Sequence, residues 1–72
     1  MRSWTFRAMI KFLQSRGFEL HKESGSSRTY SGIVNGQVRL VAIHFHRSGD
    51  DIKPGTLRSI IRQSGIPKKE FE

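Results

Sequence analysis

The sequence predicts an α+β fold in the order α-β-β-β-α, with two helices packed on one face of a three-stranded antiparallel sheet. Three observations predict it. An apolar stripe at helical spacing lies near each end of the chain. An Asn35-Gly36 pair, the strongest short hairpin signal, separates two segments rich in β-branched residues. A glycine follows each helical stripe, where a left-handed residue ends a helix. The chain has 72 residues, enough for one domain, and residues 1–72 are read as that domain.

The first helix is expected over residues 5–16, where Phe6, Met9, Ile10 and Leu13 share one face. Arg7, Lys11 and Gln14 fall off that face. Ser3 or Thr5 suits the N-cap. Gly17 suits the position after the helix, letting Phe18 fold back on Leu13. A short strand is expected over residues 18–22, followed by a turn at Ser24, Gly25 and Ser26.

The hairpin comes next, with strands over residues 30–34 and 37–45. A two-residue type I′ turn sets Val34 opposite Gln37, Ile33 opposite Val38 and Tyr30 opposite Val41. Carried further, the same register sets Ser27 opposite His44, unless a bulge at Gly32 shifts it. Residues 47–51 read as a polar loop, in which Asp50 and Asp51 shape the chain. The second helix starts near Pro54 and ends at Gly65, with Leu57, Ile60, Ile61 and Ser64 inward and Arg58 and Arg62 together on an outer flank. Residues 67–72 begin a third helix.

Two amphipathic helices need one face of one sheet. Tyr30, Val41, Ile43 and Phe45 are assigned to that face. Ser27, Ile33, Val38, Leu40, Ala42 and His44 then lie on a face with no third layer to cover it. An uncovered apolar patch in so small a domain anticipates a partner. The same element order belongs to double-stranded-RNA-binding domains, which read helix shape and phosphates.

Composition narrows the function. Thirteen Lys and Arg against six Asp and Glu give a formal charge of +7, which favours a polyanion, nucleic acid first, over a merely solvated surface. There is no cysteine, hence no disulfide framework and no Cys-based zinc site. Apolar runs are too short to span a membrane, and the N-terminus carries no apolar signal segment, so the cytoplasm is expected.

The run Lys53-Pro54-Gly55-Thr56-Leu57-Arg58-Ser59-Ile60-Ile61-Arg62-Gln63-Ser64-Gly65-Ile66 closely resembles the signature around the second long helix of HicA proteins. The helix ending in Gly17-Phe18, the Gly25-Ser26 pair before a strand reaching Tyr30, and residues 41–46 as third strand also resemble that family. The resemblance implies a toxin of a toxin–antitoxin pair, an endoribonuclease (mRNA interferase) that cleaves mRNA and arrests translation. It implies a HicB antitoxin that blocks the active site, here expected on the open sheet face. It implies metal-independent cleavage, with no cofactor.

The family's catalytic histidine follows its Gly-Ser pair, and that position here is Ser27. Metal-free RNA cleavage needs a group that moves a proton near neutral pH, which imidazole does and an unaided serine hydroxyl does not. Two readings follow. Either the chain as written is inactive, by nature or by deliberate substitution, or a second imidazole serves. A non-catalytic RNA-binding or antitoxin-binding module is the alternative function.

His44 is the candidate for a displaced base, because it stands opposite Ser27 in the hairpin register. The resemblance itself gives His44 no role, since proline is usual there, whereas His46 falls where the family often has histidine. His46 reads equally as a residue that closes the strand end, and His21 as an ordinary surface residue. A metal site from the three histidines lacks a convergent carboxylate. Lys53, Arg58 and Arg62 surround the start and flank of the second helix and are candidates for RNA phosphate; the plain alternative is a solvated helix face. Arg28 and Arg39 are candidates for stabilising charge on phosphate, although strand alternation places both on the helix-packed face.

Overall fold

A computed structural model describes residues 3–72. Helix α1 (Phe6–Ser15) is followed by strands β1 (Glu19–Ser24), β2 (Ser27–Val34) and β3 (Gln37–His44), helix α2 (Pro54–Ser64) and a 3₁₀ helix over Lys68–Phe71. The strands form one antiparallel sheet in the order β1-β2-β3. The expected α-β-β-β-α order is therefore observed. The short third helix expected from residue 67 is a single 3₁₀ turn.

The ends of α1 follow from local chemistry. Thr5 is the N-cap, and its hydroxyl accepts from the Ala8 amide at 3.1 Å. The preceding two amides, which no helix can satisfy internally, donate to the polar loop: Phe6 N to Asp50 O at 3.1 Å and Arg7 N to Ser48 O at 2.7 Å. The loop read as polar thus closes the start of α1. At the other end Gly17 takes φ 89°, Gly17 N donates to Gln14 O and Phe18 N to Leu13 O, the paired bonds of a Schellman motif.

Asn35 and Gly36 both have positive φ, 53° and 78°, as a type I′ turn demands. The register runs unbroken from Val34↔Gln37 through Tyr30↔Val41 to Ser27↔His44. No bulge occurs at Gly32. Its lack of a side chain serves packing instead, because a Cβ there would lie 2.7 Å from Cγ of Phe18. The irregularity falls in β1, between Leu20 and Lys22, so His21 is the bulged residue. Ser24 belongs to β1 and not to the turn. Gly25 and Ser26 alone join β1 to β2, with Gly25 at φ 59°, the glycine-first pattern of a type II′ turn.

The core lies between the helices and one sheet face. Tyr30, Val41, Ile43 and Phe45 are buried there with Met9, Leu13, Leu57 and Ile60. Phe6 stacks on Phe45 at 5.0 Å between centroids. Full burial of such a side chain contributes about 1.5–3 kcal/mol, so few residues carry the stability of a domain this small.

A second group, spread over the two ends of the chain, extends that core. Trp4 donates its indole N–H to Phe71 O at 3.0 Å and meets the Phe71 and Phe12 rings edge-on. Ile52 N donates to Trp4 O at 2.8 Å. Outside this group, Arg16 binds Glu70 at 2.6 Å, and that guanidinium holds the Glu70 carboxyl below its ordinary pKa.

Helix α2 ends at Gly65, φ 71°, where a Cβ would lie 2.6 Å from Arg39 Nε. The Ile66 amide is taken by the Ser64 hydroxyl at 3.1 Å, which itself donates to Ile61 O. Ser64 is fully buried for this reason. Gln63 closes the outer edge of β3, where Ala42 N donates to its Oε1 at 2.9 Å.

Candidate functional site

Among the described residues nothing covers the opposite face of the sheet. Ile33 and Val38, 69% and 67% exposed, and Leu40, 51% exposed, form its apolar end beside the Asn35-Gly36 turn. Its other end is polar. There Ser27 pairs with His44, and Ser24 with Ser27, so one rung of the sheet carries two serines and an imidazole across three strands. Among the described residues no helix packs over this rung.

The two-residue Gly25-Ser26 turn adds a further group. It brings the Ser26 hydroxyl to 3.3 Å from Nδ1 and 3.2 Å from Nε2 of His44, where it donates to or accepts from the ring according to tautomer. His46 meets the His44 ring edge-on at 5.5 Å between centroids. The sequence signal for Ser26 was present, since a Gly-Ser pair between two strands is itself a hairpin signal. His21 stands apart, at the bulge of the far edge strand. Among the described residues no three His, Asp or Glu side chains converge as a metal-binding group.

The arginines divide between two places. Arg28, next to Ser27 in sequence, points to the helix-packed side. It donates to Glu23 at 2.9 Å and lies over the Phe45 ring at 5.0 Å. Arg39 is pressed against Gly65, with its Nε buried and unpaired and its terminal nitrogen 3.3 Å from Gln37 Oε1. Neither reaches the Ser27–His44 rung.

Lys53 is the N-cap residue of α2 and makes no side-chain cap, while Pro54 supplies no N–H. Arg58 and Arg62 are exposed and line a shallow groove of about 420 Å³ together with Lys68. Because α2 buries Leu57 and Ile60 against the covered sheet face, this basic groove and the Ser27–His44 rung belong to different sides of the sheet. No helix among the described residues is long and apolar enough to cross a membrane.

A family model described as the HicA toxin of bacterial toxin–antitoxin systems matches residues 6–66. No curated protein and no solved structure matches the chain.

Proposed function

Because the chain belongs to the HicA toxin family, we propose that it is the toxin of a toxin–antitoxin pair that binds and cleaves mRNA in the cytoplasm and is held inactive by a HicB-like antitoxin. The observation that carries this reading is the place of Ser27. It stands on the bare sheet face, at the position where the family resemblance implies the catalytic histidine, beside His44. The antitoxin would cover that face, whose apolar end offers Ile33, Val38 and Leu40.

The reaction would be metal-independent. A base takes the proton of a ribose 2′-hydroxyl, the 2′-oxygen bonds to phosphorus, and the bond to the 5′-oxygen breaks as that oxygen gains a proton. Ser27 is a poor base for the first step at neutral pH. With Ser27 as its only candidate base the chain would be a weak or inactive nuclease, and Ser27→His would supply the missing imidazole.

A second assignment has one specific observation in its favour. The unbroken register sets His44 directly across from Ser27, and directly opposed β-carbons lie about 4.5–5.5 Å apart. An imidazole from the neighbouring strand can reach the same phosphate, with the Ser26 hydroxyl orienting the ring. Lys53, Arg58 and Arg62 would hold RNA phosphates, and Arg28 and Arg39 would add positive charge from the sheet's covered side. RNA cleavage by the chain and by Ser27→His tests the proposal; a non-catalytic binding module would leave RNA intact in both.

A further inference from the structure

The groove on the outer flank of α2 has features that simple phosphate contact does not require. It runs between α2 and the 3₁₀ helix and is lined by Gly55, Arg58, Ser59, Ile61, Arg62 and Lys68. Three of these are cations and none is acidic. The groove is open to solvent, with a volume of about 420 Å³. Half-buried Ile61 gives it an apolar patch. At Gly55 nothing lies within 4 Å of where a Cβ would stand, so that part of the groove is open.

Ser59 is the unexpected member. Its hydroxyl accepts from Gln63 Nε2 at 3.2 Å, and the Oε1 of the same Gln63 accepts from Ala42 N at 2.9 Å. The β3 backbone thus fixes the Gln63 amide, and the amide fixes Ser59 as an acceptor. The Ser59 proton is left to donate elsewhere.

Cations, an apolar patch and one neutral donor together suit a nucleotide better than a bare phosphate. The phosphate meets Arg58, Arg62 and Lys68, and the base lies on Ile61 or against a guanidinium plane. A base held in a duplex cannot enter without being unstacked. We propose that this groove receives one unpaired nucleotide of single-stranded RNA, with Ser59 and Lys68 joining Arg58 and Arg62 as binding residues. The inference rests on the RNA-directed function above and adds to it the strandedness of the ligand and two residues that the sequence did not single out.

Binding of a fluorescent single-stranded RNA, and of the same strand in a duplex, is measured against salt for the chain, Lys68→Ala, Ser59→Ala and the Arg58→Ala/Arg62→Ala pair, with folding checked by circular dichroism. The single strand is expected to bind more tightly. Lys68→Ala is expected to weaken binding and to flatten the slope of log affinity against log salt by about 0.7, one phosphate's share for a single strand. Ser59→Ala is expected to weaken binding several-fold with the slope unchanged, because it removes a neutral donor. Tighter binding of the duplex, or Lys68→Ala and Ser59→Ala variants that bind like the parent while the arginine pair weakens binding, overturns the groove but keeps the RNA reading. If the arginine pair also changes nothing, the helix-flank site falls with it.

Discussion

Ser27 and His44 are direct partners across the β2–β3 ladder and face the same uncovered side of the sheet. That relationship follows from a turn eight residues away from either of them. Asn35 and Gly36 fix a two-residue loop, the loop fixes the register, and the register sets one side chain across from the other. A one-residue slip would turn the whole β3 set over and bury His44 among the helices.

The flank of α2 carries the first prediction. Arg58→Ala with Arg62→Ala should weaken RNA binding and flatten its salt dependence by about 1.4 in log–log slope, since two single-strand phosphate contacts are lost. Filter binding or fluorescence anisotropy across a salt series reads both quantities.

A second prediction concerns Gly65. Gly65→Ala meets two costs, a left-handed φ of 71° and a Cβ 2.6 Å from Arg39 Nε. Strain at φ costs about 1–2 kcal/mol, and the crowding adds to it unless Arg39 moves aside. In an Arg39→Ala background, urea unfolding should show a smaller loss from Gly65→Ala, because only the backbone strain remains. An equal loss in both backgrounds would show that Arg39 gives way freely.

The chain ends carry a third. Phe71 is fully buried and its carbonyl accepts from the Trp4 indole. Phe71→Ala should destabilise the protein by about 3–5 kcal/mol. Trp4→Phe, which keeps a ring and loses the hydrogen bond, should cost about 1–3 kcal/mol, because a buried carbonyl loses its partner. Denaturant midpoints measure both, and an unchanged midpoint in Trp4→Phe would mean that the indole bond contributes nothing.

These ends mark where the sequence stops being legible. The Asn35-Gly36 hairpin, the Gly17-Phe18 return and both helical stripes are written in neighbouring residues, and each is observed as expected. Trp4 and Phe71 meet across almost the entire chain, and no local period announces that contact. The bulge at His21 likewise depends on how β1 meets β2, and no Gly or Pro marks it. Of the site, the Ser27–His44 pairing was legible because turn chemistry dictates it. The Ser26 hydroxyl on the imidazole is hidden while Ser24, Gly25 and Ser26 read as one turn, because the contact depends on the two-residue Gly25-Ser26 loop. The Ala42–Gln63–Ser59 chain joins a strand edge to a helix and exists only in the packed fold.

The most direct test of the account is RNA cleavage, measured side by side for the chain as written, Ser27→His and His44→Ala, each shown to be folded. General base catalysis is worth about 10²–10⁴-fold, so Ser27→His should raise cleavage by that order over a slow or absent background. Any residual cleavage by the parent should disappear in His44→Ala if His44 acts as the displaced base, and should persist if it does not. A folded Ser27→His protein that leaves RNA intact would contradict the assignment of position 27 as the catalytic centre, and with it the reading of this chain as an RNA-cleaving toxin.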